Sequence, residues 1–325
     1  MDIFDQIINA FSTIPYVREW PEVQALFRRV VLGKPGHWLL PLRACESVGG
    51  TKQQAIPAIM AVACSHIGIV LVDDMLDADP RGEHLRAGAP AVVNMASALQ
   101  SAGIAVIAHC EMDSQAKLMA MESVNEMFLS TSLGQYWDVQ SAADEDAYWH
   151  MVQMKSGSFF QTTWELGALF GGAPIEVVRA IGEIGHIYGE MIQIHDDMND
   201  CMAMPASPDW IQGRSSLPIL FAQVVDYPDR SRFLELRQRI SDVEALHEAQ
   251  EILIKSGAVS YCIDQLLRRY RDAQTVLTSM KLVHPDKLDA ILEEVIVPVW
   301  RLFDVAEKRL PELITDSERS WEKTE

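Results

Sequence analysis

Two short stretches bring carboxylates together at a spacing that suits divalent cations. Asp73-Asp74-Met75-Leu76-Asp77 and Asp196-Asp197-Met198-Asn199-Asp200 share the pattern Asp-Asp-x-x-Asp. Residues four apart in a helix lie on one face, so Asp73 and Asp77 point together. His66, seven residues before Asp73, points the same way. Carboxylates crowded at the end of a buried helix repel one another and lose hydration, a cost that a cation between them removes. For one triplet, a solvated acidic helix end is an equally good account. Two triplets facing each other across a bundle favour several hard cations. Mg²⁺ prefers a few carboxylates together with water and substrate phosphates. The substrate so implied is a polyphosphate ester, and the apolar helices carrying the triplets imply an apolar tail.

Those helices are legible in the spacing. Ile56, Ile59, Met60, Ala63, Ile67, Val70 and Leu71 recur at helix period, and Thr51 with Gln54 forms a capping box at the start. The spacing predicts helices over 2–13, 21–32 (with Pro21 in the first turn), up to Gly49-Gly50, and 51–77. Further helices follow over 92–109, 111–139, 146–170 and 174–203. Each Asp triplet is followed by a loop, Asp79 to Pro90 after the first and Pro205 to Gly213 after the second. Shorter helices fill 216–256, Gly257 is a helix C-cap, and 258–280 and 286–309 are amphipathic. The polar tail 316–325 reads as frayed. No stretch alternates like a strand, and no linker or repeat divides residues 1–325, so a single all-α domain is expected.

Composition narrows the partners. The chain has 325 residues, 49% hydrophobic, enough for a large core. A net charge of −19 argues against nucleic acid and anionic membranes. Five cysteines without CxxC spacing read as reduced thiols of a cytoplasmic protein. The N-terminus lacks a basic n-region, so no signal peptide is expected. No uninterrupted apolar run reaches 18 residues, so no transmembrane segment is expected either.

Other motifs fail on inspection. An EF-hand loop beginning at Asp77 would put Arg81 at a ligand position and Gly88 where a Glu is required. Gly33-Lys34 has no upstream Gly at P-loop spacing, and Pro35 follows it. Glu183/His186 and Glu244/His247 are Glu-x-x-His pairs, but Glu244 sits in a strongly polar stretch, which is poor ground for a di-iron site. Lys155-Ser156-Gly157 lies inside an apolar helix, where a Lys ordinarily snorkels; beside acidic, metal-loaded sites it can bind a diphosphate oxygen instead. Arg214-Ser215-Ser216 opens a helix, whose backbone N–H groups also favour anions.

Taken together, the sequence resembles the trans-isoprenyl diphosphate synthase (polyprenyl synthetase) family over roughly residues 25–280. The two Asp motifs resemble the family's first and second aspartate-rich motifs. Gly33-Lys34 through Gly49-Gly50 is similar to its Gly-Lys segment, Lys155-Ser156-Gly157 to its Lys-Thr, Gln135 and Asp138 to a Gln-x-x-Asp element, and Arg214 through Pro218 to its last basic motif. The resemblance implies an all-α orthogonal bundle around a central cavity, the isoprenoid synthase fold. It implies Mg²⁺, three ions with diphosphate bound, with Mn²⁺ able to substitute. By resemblance Asp73, Asp77 and Asp196 are direct ligands, and Asp74, Asp197 and Asp200 hold waters or second contacts. Lys155, Gln193 and Arg214 position the allylic diphosphate. Lys34, His37, His66, Arg81 and Arg86 are the candidates for binding isopentenyl diphosphate. Gly68 and Ile69, five and four residues before Asp73, mark the pocket that limits chain length, and Gly68 leaves room for products of C20 or longer. A homodimer is implied.

The acceptor half departs from the family pattern. His37 stands where the family's Gly-Lys-x-x-Arg has Arg, and the family's Arg-Arg-Gly reads Arg86-Ala87-Gly88, with Ala87 at the second Arg, unless Arg81-Gly82 takes that role after a shift in the loop. The Gly-Lys expected in the loop after Asp200 is missing. Head-to-tail elongation is the leading expectation, with a high KM for isopentenyl diphosphate that worsens as pH rises through the titration of His37. The alternatives are a member that ionises the allylic diphosphate and then cyclises, hydrolyses or transfers it, and a non-catalytic partner subunit.

Overall fold

The structure is a computed structural model and describes residues 2–301; the expected frayed tail at 316–325 and the end of the predicted 286–309 helix lie outside the described residues. Every regular element among the described residues is helical. They are α1 (Ile3–Phe11), α2 (Pro21–Leu32), α3 (Leu40–Ser47), α4 (Lys52–Leu76), α5 (His84–Ala87), α6 (Ala89–His109), α7 (Ser114–Gln140) and α8 (Glu145–Val152). After these come α9 (Ser158–Phe170), α10 (Ile175–Cys201), α11 (Pro208–Gln212), α12 (Leu217–Val224), α13 (Arg230–Leu236), α14 (Val243–Lys255) and α15 (Ala258–Ser279). A last helical stretch covers 286–301.

α4 is the spine. The Thr51 side chain accepts from the Gln54 backbone while the Gln54 side chain reaches back to the Thr51 N–H, so the capping box forms as expected. The helix is apolar all round because it serves two cores. Ala58, Ala61 and Val62 join a cluster with α7, α9, α10 and α15. Ala55, Ile59, Met60, Ala63 and Ile67 join another with α1, α2, α3 and α6. A third cluster, around Trp210 and Phe233, holds α11 to α14 together.

Two features of these helices bear on the expectations. By length and composition α4 and α6 could each cross a membrane, although no uninterrupted apolar run does so. α4 owes its greasiness to the two cores, and its most apolar stretch is 67% buried; that of α6 is 39% buried. The predicted 146–170 helix is also not uniform. It runs as α8, a wide π-type turn at Gln153–Gly157, and α9. Such turns insert one residue and re-aim the side chains they carry. Here those side chains include Lys155 and Ser156.

Candidate active site

The C-terminal ends of α4 and α10 meet the π turn before α9 at the mouth of a chamber of about 540 Å³. Asp73 and Asp77 line one wall, and Asp196, Asp197 and Asp200 the opposite one. Lys155 and Arg214 lie between them. Lys155 Nζ is 2.6 Å from Asp138 Oδ2 and 3.6 Å from Asp73 Oδ1. Arg214 is 2.5 Å from Asp77 Oδ1 and 3.6 Å from Asp138 Oδ2. Asp138, one turn after Gln135 on α7, therefore joins both cations, and Gln135 Nε2 donates to Asp73.

The cations do not neutralise this set. Burial and the neighbouring Asp200 carboxylate push Asp196 up to about 6. Burial, then Asp77, raises Asp200. Burial likewise raises Asp73 against the pull of Lys155. Asp209, at the start of α11, also lines the chamber and is pushed to about 6 by burial and by Asp138 and Asp200. Burial opposes the charge on Lys155, yet Asp138 and Asp73 hold its ammonium above the usual range. Surplus carboxylate in a desolvated chamber is what bound cations relieve.

The donor set fits Mg²⁺. It is all oxygen, split between two walls, and among the described residues no three side chains close into a ready-made cage. Such an arrangement leaves coordination positions for phosphate and water. Buried polar atoms in the walls also lack partners, namely Arg214 Nε, Ser216 Oγ and His37 Nε2.

Two members of the triplets look elsewhere. Asp74 is not in the lining; its backbone carbonyl accepts from Asp79 N, and it faces the loop beneath Gly82. Asp197 is 4% exposed and saturated, accepting from Tyr148 Oη at 2.8 Å, Gln193 Nε2 at 2.8 Å and Leu217 N at 2.7 Å. It anchors the start of α12, and with it the segment bearing Arg214. Tyr148, fully buried, has no signal in the sequence that points to this role.

The sequence profile of the polyprenyl synthetase family matches residues 24–253. The chain belongs to the polyprenyl synthetase family. It is 25% identical to the geranylfarnesyl diphosphate synthase of Aeropyrum pernix over 290 residues, 81% of this chain and 91% of that relative. It is 26% identical to a terpene synthase of Matsumurasca onukii over 71% of this chain and 78% of that relative. The crystal structure of a geranylgeranyl pyrophosphate synthetase from Pyrococcus horikoshii superposes with a TM-score of 0.77 at 22% identity, covering 90% of this chain and 94% of that one. The all-α architecture is thus that of solved polyprenyl synthetases.

Against this family background the acceptor candidates fall out unevenly. His37 and His66 line the chamber with ring centroids 4.2 Å apart. Trp38 Nε1 donates to His66 Nδ1 at 3.3 Å, which leaves the His66 proton on Nε2. The three candidate cations are not in the lining. Lys34 is exposed and pairs with Asp2 at 3.3 Å, Arg81 pairs with Asp79 at 2.8 Å, and Arg86 with Glu83 at 3.0 Å. Ile69 lines the chamber as expected. Gly68 does not: a Cβ there would meet the Ala96 carbonyl of α6 at 3.3 Å, so this glycine serves close helix packing and carries no information on product length.

Lys155 is held by the bareness of its neighbours. A Cβ on Gly134 of α7 would stand 2.5 Å from Lys155 N, and one on Gly189 of α10 2.6 Å from the Ser156 carbonyl. The π turn is wedged between the two helices, and Ser130 donates to its Met154 carbonyl at 3.1 Å. Gly134→Ala must shift Lys155. Displacements of about 1 Å at a reacting site cost about a hundredfold in rate, so a loss of that order in kcat/KM is expected with unchanged circular dichroism. A variant within about twofold of wild type would show that Lys155 does not need this seat.

Proposed function

We propose that the chain is a Mg²⁺-dependent prenyltransferase that condenses an allylic diphosphate with isopentenyl diphosphate. The observation that carries this reading is the pair of carboxylate walls facing Lys155 and Arg214 above an apolar interior. Asp73, Asp77, Asp196 and Asp200 are the residues that would hold the ions. The ions, when bound, draw charge onto the leaving diphosphate and so favour breaking of the allylic C–O bond. In the free protein Lys155 and Arg214 are engaged by Asp138, Asp73 and Asp77. With those carboxylates taken up by bound ions, Lys155 and Arg214 would be free to grip diphosphate oxygens. Gln193, held by the Ser156 hydroxyl at 2.6 Å, keeps this edge in register. The diphosphate leaves with the bonding pair, and Ile69, Phe159 and Phe160 shield the allylic cation from water. The acceptor double bond then supplies the electrons of the new C–C bond, and a proton is lost to restore the alkene.

The working form is proposed to be a cytoplasmic homodimer. Leu129, Leu133 and Tyr136 form an exposed apolar stripe along α7, 67%, 40% and 60% accessible, suited to a two-fold contact. The test of function is incubation with allylic diphosphates and Mg²⁺, with and without isopentenyl diphosphate, reading the carbon number of the products. Elongated diphosphates support the proposal. Alcohols or hydrocarbons of unchanged carbon number would replace it with a second reading, favoured by the absence of cations from the acceptor side of the lining: ionisation without elongation.

A further inference from the structure

The chamber is closed below by a deck of rings. His66 lies seven residues before Asp73 on α4, which runs toward the metal end, so it sits about 10 Å beneath that carboxylate. α9 runs the other way, and Phe159, one turn past Lys155, comes down to meet it. The His66 and Phe159 centroids are 5.9 Å apart. The rings continue from Phe159 to Phe160 at 5.2 Å, and from Phe160 to Tyr188 of α10 at 5.1 Å. On the other side His66 meets Trp38, edge-on at 6.2 Å. The deck thus crosses the bundle from the segment before α3 to α10. At its α10 end the deck is backed by Trp164, at 0% exposure.

An apolar tail whose diphosphate is held at the Asp walls runs down toward these rings, away from the charged mouth and along the apolar lining of Ile69, Val70, Met151 and Ile192. The second cavity behind α9, about 660 Å³, shares no lining residue with the chamber, and Glu122, Glu126, Glu165 and Arg179 put charge on its walls. Phe159 is the one ring of the deck that spans the gap between α4 and α9, and it is 7% exposed. His66 is tied to Trp38, and Tyr188 stands further back against Trp164, 5.6 Å away.

We propose that Phe159 sets the length of tail this chamber accepts. The proposal rests on the prenyl-transfer reading for its substrate class and places the limit on α9. Phe159→Ala removes the span and frees the volume of its ring, whereas Ile69→Phe fills the chamber wall.

The test has two arms. The first measures binding of allylic diphosphates of increasing tail length to the Mg²⁺-loaded protein, which does not depend on elongation. Wild type should lose affinity abruptly, by about tenfold or more, at the first tail that reaches the deck, because a tight apolar pocket rejects even one extra methylene at that level. Phe159→Ala should move the break to a tail at least one isoprene unit longer, and Ile69→Phe to a shorter one. The second arm reads product length with isopentenyl diphosphate present and should shift the same way. If wild type never elongates, the proposed function fails while the binding break still tests the deck. If Phe159→Ala and the milder Phe159→Leu both fold and keep the wild-type break, Phe159 does not set the limit.

Discussion

Replacing Asp73 or Asp196 with alanine is expected to cut turnover by several orders of magnitude while leaving helicity unchanged. Each factor of ten corresponds to about 1.4 kcal/mol of transition-state stabilisation, and charge neutralisation by bound metal supplies several such increments. Stability should move the other way. Burial and neighbouring carboxylates penalise both groups in the free protein, so their removal relieves repulsion and the melting temperature should hold or rise. That opposition separates a functional role from a structural one, because a structural carboxylate would lose activity and stability together. The pH dependence has a definite sign. Asp196 is pushed up to about 6, so below that pH a proton competes with metal, and above it the site is already ionised. Apparent Mg²⁺ affinity should therefore weaken as pH falls through 6 and level off above 7. Retention of more than roughly a tenth of wild-type turnover by both variants would sink the assignment of these walls.

Much of this site can be read in the chain because helix periodicity and helix ends are local. The triplets end α4 and α10 in the structure as in the spacing, and the Thr51 cap forms from residues three apart. What escaped depends on neighbours the spacing cannot name. A helical wheel puts Gly68 on a face but not against the α6 backbone. The π turn at Gln153–Gly157 inserts one residue without disturbing the apolar pattern, yet it aims Lys155. Asp197 has the same local sequence as a metal ligand, and only the approach of Tyr148 and Leu217 turns it into an anchor. The acceptor cations illustrate the reverse case. Lys34, Arg81 and Arg86 have suitable types and positions, but Asp2, Asp79 and Glu83 claim them at the surface.

The acceptor side yields the second large effect. A diphosphate needs fixed cations, and each bidentate Arg–phosphate contact that is missing costs about 1.5–3 kcal/mol, roughly ten- to a hundredfold in affinity. At the proposed acceptor site two such contacts are missing, where the family pattern has Arg and this chain has His37 and Ala87. His37 does not substitute by charging. Burial pushes its imidazole down to about 4, and burial with the facing His37 ring pushes His66 to about 3. Both rings are neutral at every pH above these values, so the expectation that KM for isopentenyl diphosphate follows the titration of His37 near neutrality is withdrawn; between pH 6 and 8 His37 should contribute no slope. His37→Arg is expected to lower that KM ten- to a hundredfold with a smaller change in kcat, and Ala87→Arg to add to it, since Ala87 lies on the loop side, at the end of α5. The His37→Arg change also has a structural signature. An arginine in a half-buried site without its anion loses hydration, so the free variant should melt lower than wild type and recover when diphosphate binds. The measurement is KM for isopentenyl diphosphate at two pH values in the three proteins, alongside melting with and without inorganic diphosphate. A KM unmoved by either arginine, in variants that bind diphosphate, would mean that the acceptor lies elsewhere in the chamber.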